Sequence, residues 1–267
     1  MSNINTTNEV REQYKTDKNL NARAALHALY STNKQGWSNW VVEQYDIKPG
    51  MRILELGCGN GYMWSGRTLP DGVTLVLSDF SEGMLAAAKA NTAGLPHVEY
   101  RVIDAQDIPF GDGEFDIVIA NHMLYHMPDV DKALAETARV LKPGGKLYST
   151  TLGEGNFKEM MALLAGFDTR IDFAQNTITD AFGLETGGAK LSKHFSSSEV
   201  HRYGDSLHIT EAQPMIDYIL SLQGIGNVCD IITGDEVDRF AAYVNEVFDK
   251  NGFFDVKKDA GIFISTK

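Results

Sequence analysis

Glu55-Leu56-Gly57-Cys58-Gly59-Asn60-Gly61 follows a short apolar run, Met51 to Leu56. The run reads as a strand and the glycines as a tight turn that opens a helix. Glycine tolerates left-handed backbone and lets a ligand come close to the main chain. A dinucleotide site would place its third glycine at position 62, but that position is Tyr62 and the glycine stands at 61. The spacing is therefore G-x-G-x-G, which departs from the nicotinamide fingerprint. A bare strand-to-helix turn without a ligand would also use these glycines.

Outward from the loop the pattern alternates. Strands are expected at Val73 to Ser78, Val98 to Ile103, Phe115 to Ala120 and Lys146 to Thr151, with helices at Ser81 to Ala90 and Asp129 to Leu141. Lys142-Pro143-Gly144-Gly145 reads as a turn. This alternation predicts an α/β fold, a parallel sheet with helices on both faces. Further helices are expected at 156–166, 211–222 and 235–250, and strands at 195–203 and 256–265, with a Gly-rich break from Phe182 to Gly188. Upstream, residues 9–30 read as one or two amphipathic helices and Trp37 to Tyr45 as another. The expected organisation is an N-terminal helical cap (1–44), a Rossmann-like core (45–152), a lid or substrate region (153–250) that includes a core strand near 195–203, and a final core strand (251–267).

Polar residues close successive strands. Asp79 stands about 20 residues beyond the glycines, where a carboxylate can accept from ribose hydroxyls. Its other reading is a helix N-terminal acid. Asp104-Ala105 follows the third strand and Asn121-His122 the fourth. In open α/β sheets, ligands bind outside the carboxyl ends of the strands.

These segments together resemble the class I S-adenosylmethionine (SAM)-dependent methyltransferases, in particular small-molecule enzymes with a methyltransferase type 11 domain. E-L-G-C-G-N-G resembles their first motif, L-S-D-F-S-E-G-M-L the ribose motif, and D-A-Q-D-I-P-F the adenine-side motif. F-D-I-V-I-A-N-H-M-L-Y-H and L-K-P-G-G-K-L resemble the motifs of the fourth and fifth strands. The resemblance covers residues 45–152. It implies a Rossmann-like, mostly parallel seven-stranded sheet and SAM as cofactor, leaving S-adenosylhomocysteine as product. It implies that Gly57, Cys58, Gly59 and Gly61 line the methionine part and that Glu55 orients the loop beneath. Asp79 would take the ribose, with Phe80 and Met84 near the adenine. Asp104 and Ala105 would read the adenine, and the backbone or side chain of Asn121 would receive the ammonium.

The chemistry needs an aligned nucleophile and, for a hydroxyl or protonated amine, a base. His126 and His122, just past the fourth strand, are the candidates, since neutral histidine accepts a proton near neutral pH. His126 could equally pack against or cap the following helix. Tyr14, Tyr30, Trp37, Tyr125 and Glu185 are candidate acceptor contacts, though such residues more often serve packing or surface. An Asn/Asp-Pro-Pro-Tyr motif, frequent among methylases of nucleobase amines, is absent after the fourth strand, where Asn121-His122-Met123-Leu124 stands.

Composition narrows the partners. The 267 residues carry a formal net charge of -12, which repels phosphate backbones and disfavours bulk nucleic-acid binding. Two cysteines, Cys58 and Cys229, make no disulfide framework, and no metal-type spacing is seen. No stretch approaches the roughly 20 apolar residues of a membrane helix, and the N-terminus lacks an apolar signal core. A cytoplasmic enzyme, monomer or homodimer, acting on O, N or C of a small molecule is the expectation. An RNA or protein methyltransferase, a non-catalytic SAM-binding module and, more weakly, an NAD-dependent oxidoreductase are the alternatives.

Overall fold

The apolar runs do become strands. In the computed structural model, which describes residues 25–173, 175–222 and 226–267, seven strands form one sheet in the order β3-β2-β1-β4-β5-β7-β6. They are β1 (Arg52–Leu56), β2 (Thr74–Asp79), β3 (Val98–Val102), β4 (Phe115–Asn121), β5 (Leu141–Leu152), β6 (Ser197–Ile209) and β7 (Phe254–Thr266). β1 to β5 run parallel and β7 is antiparallel to β5. The strand order reverses between β1 and β4, so loops at their carboxyl ends diverge and open a crevice.

Two compact units share the chain. The larger comprises Trp37–Glu154, Thr177–Tyr203 and Ala260–Lys267. One face of its sheet carries Ile53, Leu75, Leu77, Ile117, Ile119 and Tyr148, packed with Val41 of α1 (Trp37–Glu43) and Leu85 and Ala88 of α2 (Glu82–Asn91). Burying such side chains supplies about 1.5–3 kcal/mol each. Ser81 caps α2, its hydroxyl accepting from the Met84 amide, and Asp129 caps α3 (Val130–Val140) through the Lys132 amide. Both caps satisfy amides that a helix start leaves without intrahelical partners. α3 packs against β5.

The smaller unit comprises the described part of Met1–Gly36, Gly155–Asn176 and Gly204–Asp259. Its own core gathers Leu26, Met160 and Leu164 of α4 (Lys158–Phe167), Ile216 and Ile219 of α7 (Ala212–Leu220), and Phe240 and Val244 of α9 (Asp235–Asn251). Here Asp205, its side chain fully buried, accepts from Lys258 Nζ at 2.6 Å, Ser31 Oγ at 2.7 Å and the Asn33 amide at 3.0 Å.

Three local expectations are corrected. The glycine loop does not open an α-helix: it leads only into a three-residue 3-10 turn, Tyr62–Trp64, and Gly66 at φ +70° turns the chain away. Lys142-Pro143-Gly144-Gly145 is not a turn between elements but a bulge within β5, since Leu141 already pairs with Phe115 and pairing resumes at Lys146 with Ile117. The Gly-rich break is flanked by two unforeseen helices, α5 (Gln175–Phe182) and α6 (Gly187–Leu191); α8 (Val228–Ile231) is a further short helix. Gly187 serves close packing, because a Cβ there would lie 2.8 Å from the Phe263 ring.

Candidate functional site

β1, β2 and β4 each carry a polar residue near their carboxyl ends, Glu55, Asp79 and Asn121, and Asp104 follows β3. Gly57, Gly59 and Gly61 all hold positive φ, at 67°, 56° and 72°. Their surroundings differ. A Cβ on Gly57 would stand 2.9 Å from Met123 Cβ, and one on Gly61 3.1 Å from Ala88 Cα, so those two glycines permit close packing. A Cβ on Gly59 would meet nothing within 4 Å. The middle glycine therefore presents bare backbone to open space, the cradle a ligand's apolar and polar edges can approach.

Asp79 ties that loop to β2. Its Oδ2 accepts from the Gly59 amide at 2.9 Å and its Oδ1 from the Ser81 amide at 2.8 Å. Burial pushes the carboxyl's pKa up, and the Ser81, Gly59 and Phe80 amides counter part of that rise. Cys58 is held by its amide, which donates to Ser78 O at 2.8 Å. Burial, with Glu55 and Asp79 close by, lifts its thiol well above the usual range, which keeps it un-ionised.

Under the loop lies a buried polar network that the sequence did not reveal. Glu55 is 1% exposed. Its Oε2 accepts from Trp64 Nε1 and its Oε1 from Asn121 Nδ2 at 3.0 Å. Asn121 also donates to the Tyr45 hydroxyl at 2.9 Å, and its Oδ1 accepts from Thr150 Oγ1 at 3.3 Å. Burial raises Glu55 from about 4.5 to about 7, the two N–H donors opposing and the Asp79 charge adding to the rise. Tyr45, Trp64 and Thr150 were missed. Trp64 carried one usable signal, since a buried indole N–H needs an acceptor, and Glu55, nine residues earlier, supplies it.

The remaining candidates fall as follows. Met84 and Ala105 are buried, Phe80 is half-buried and Asp104 is exposed. The Ile103 amide donates to Asp79 O at 3.3 Å, which sets the segment after β3 beside the end of β2. His122 adopts φ 49°, a left-handed conformation for which histidine is among the more tolerant residues. Its amide donates to Thr150 Oγ1 at 3.0 Å and Thr150 O at 3.2 Å, which holds the bend. The His122 ring lies 5.2 Å from the Trp37 ring and 6.3 Å from Tyr125, and Tyr125 lies 4.6 Å from His126. Trp37, His122, Tyr125 and His126 thus form one row of rings beyond β4. Glu185 faces Arg202, accepting from its guanidinium at 2.7 Å, and takes the Glu154 amide at 3.1 Å. Tyr30 belongs to the smaller unit and packs against that core. Tyr14 lies outside the described residues. Among the described residues no group of three or more His, Cys, Asp or Glu is placed to hold a metal ion. No helix among them is long and apolar enough to cross a membrane.

A parallel sheet with an antiparallel β7, a glycine loop after β1 and acids in β1 and at the end of β2 mark a Rossmann-like α/β protein. Residues 54–149 match the family model described as a methyltransferase domain. Over those residues the chain resembles a methyltransferase domain. Demethylmenaquinone methyltransferase of Desulfitobacterium hafniense (strain Y51) is 34% identical over 125 residues, 45% of this chain and 49% of the relative. The protein of the same name from Clavibacter sepedonicus is 42% identical over 115 residues, 43% of this chain and 46% of the relative. The chain thus spans about half the length of these curated relatives. The YcgJ protein of Bacillus subtilis superposes with a TM-score of 0.58 at 18% identity, over 86% of this chain and 97% of that one. The [4+2]-cyclase SpnF superposes with a TM-score of 0.57 at 22% identity, over 97% and 94%. At these identities the likeness is one of fold.

Proposed function

We propose that the protein transfers the methyl group of SAM to a small-molecule acceptor. The observation that carries this reading is the unit formed by Gly59 and Asp79: bare backbone facing open space, hydrogen-bonded to the acid that closes the neighbouring strand. Those residues fit the cofactor. Asp79 would accept from the ribose hydroxyls, Asp104 and the Ala105 amide would hold the adenine, and the loop backbone would line the methionine part. The Asn121 side chain is engaged with Glu55, Tyr45 and Thr150, which leaves its backbone carbonyl for the ammonium.

When bound, the cofactor supplies a methyl group already activated by the sulfonium. What the chain contributes is alignment and a proton acceptor. Holding donor and acceptor in line is worth up to about 7–11 kcal/mol. His126, or His122 in second place, would take the proton of a hydroxyl or amine nucleophile. The ring row Trp37, His122, Tyr125 and His126 favours a flat, unsaturated acceptor that stacks. The names of the curated relatives, quinone-pathway methyltransferases, support the same choice.

The test is transfer of label from methyl-labelled SAM into a cell extract separated by size. Label in the small-molecule fraction supports the reading. Label confined to protein or RNA replaces the acceptor class. Binding of SAM with no label in any fraction points to a non-catalytic SAM-binding module.

A further inference from the structure

We propose that Gln106 is a positioning residue that aims one oxygen of Asp104 at the 6-amino group of the cofactor's adenine. The inference rests on the methyltransferase reading above and adds the device that makes the purine specificity.

Asp104 is exposed, and an exposed carboxylate on a loop has two equivalent oxygens and free rotation. Gln106 removes that equivalence. Its backbone amide donates to Asp104 Oδ1 at 2.9 Å and its side-chain Nε2 donates to the same oxygen at 3.2 Å. Oδ2 receives only a 3.5 Å approach from Nε2 among the described residues. Two donors thus occupy Oδ1, and Oδ2 keeps its accepting capacity for an incoming N–H.

The glutamine itself is locked from the other side. Its Oε1 accepts from the Asp129 amide at 3.1 Å, at the cap of α3. That bond fixes which end of the amide faces Asp104, since only the NH₂ end is then available to donate. The segment is further clamped to α3: Glu136 accepts from the Ile108 amide at 2.9 Å, and Arg139 donates to Ile108 O at 2.9 Å and Phe110 O at 2.8 Å. Asp104 is therefore oriented by a helix that does not itself reach the nucleoside motif in sequence.

The experiment compares two ligands on full-length protein by calorimetry. One is S-adenosylhomocysteine, the other its analogue with hydrogen in place of the adenine 6-amino group. In Gln106→Glu the side chain can still accept from Asp129 but sets a second negative charge against Asp104. The affinity for S-adenosylhomocysteine should fall about tenfold while that for the analogue stays level, so the preference between the two collapses. Gln106→Ala, with its thermal unfolding recorded, should show the same loss of preference. An equal fall for both ligands, no fall for either, or no preference in the unmodified protein would overturn the proposal. No binding of S-adenosylhomocysteine to the unmodified protein would instead overturn the cofactor reading itself.

Discussion

The Gly59 amide donates to Asp79 Oδ2 at 2.9 Å, so the middle glycine of the first loop is tied directly to the acid that ends β2. Asp79→Ala removes both the proposed ribose acceptor and the brace on the loop. S-adenosylhomocysteine affinity should drop by roughly 1.5–3 kcal/mol per charged hydrogen bond lost. Titration calorimetry checks this, and unchanged affinity would mean that the ribose lies elsewhere.

The glycines of the first loop differ in what surrounds them. Gly61→Ala adds a methyl 3.1 Å from Ala88 Cα at a left-handed φ, and should cost about 2–4 kcal/mol of stability. Gly59→Ala pays the left-handed penalty alone, about 1–2 kcal/mol, because its Cβ points into open space. Its larger effect should be on cofactor affinity. Paired unfolding and binding curves read the contrast; equal effects on both properties would remove Gly59 from the ligand path.

Glu55 makes the site sensitive to pH. Its carboxyl is raised to about 7, so the folded protein without cofactor keeps a proton that the unfolded chain has already lost. Stability should therefore decline as pH rises from about 4.5 to about 7, by on the order of 3 kcal/mol from this group. A cationic cofactor favours the ionised form, so its binding near pH 6 should release protons and should tighten as pH rises. Calorimetry in buffers of different ionisation enthalpy measures the release, and Glu55→Gln should abolish it. Proton release that survives the substitution belongs to another group.

The two histidines can be told apart by their pH profiles. If His126 is the base, His126→Gln should lower kcat/KM by about 100-fold and flatten the acid side of the profile. His122→Gln should keep the profile's shape and alter the acceptor KM, as expected of a ring in the stacking row. Unchanged rates across pH in both variants would leave the reaction without a base.

In the smaller unit, Lys258→Met leaves the buried Asp205 carboxylate without its cation. Burial alone would raise that carboxyl, but Lys258, Ser31 and the Asn33 amide bring it below the usual range. The substitution should cost about 3–5 kcal/mol, read by chemical denaturation near neutral pH. In the unmodified protein this contribution should fade only in acid, as pH drops through the lowered pKa.

How far the fold was legible depended on whether a signal was local. β1 to β4 were expected within two residues at each end because β1, β2 and β4 carry short apolar cores, such as Leu75–Leu77 and Ile117–Ala120, and β3 alternates apolar and charged residues. The missing helix after Gly61 was not legible, since Tyr62, Met63 and Trp64 are reasonable helix residues and only the conformation of Gly66 ends the turn. α5 and α6 were lost for the opposite reason. Gly183 and Gly187 look like loop residues but are small because Thr179 and Phe263 crowd them. At the site, spacing located the strand-end acids. The partners of Asn121 and Glu55 could not be found that way, since Tyr45 and Asn121 stand 76 residues apart and meet only through the sheet.

The shortened turn at Tyr62–Trp64 also has an electrical meaning. A full helix at this position would point the positive end of its summed peptide dipoles at the glycine loop, the arrangement that attracts pyrophosphate. Three residues sum to almost no such field. The Gly59 amide is turned instead to the Asp79 carboxylate. Under the proposed function, such a loop would favour a nucleoside that carries its charge as a cation over a nucleotide with a charged phosphate bridge.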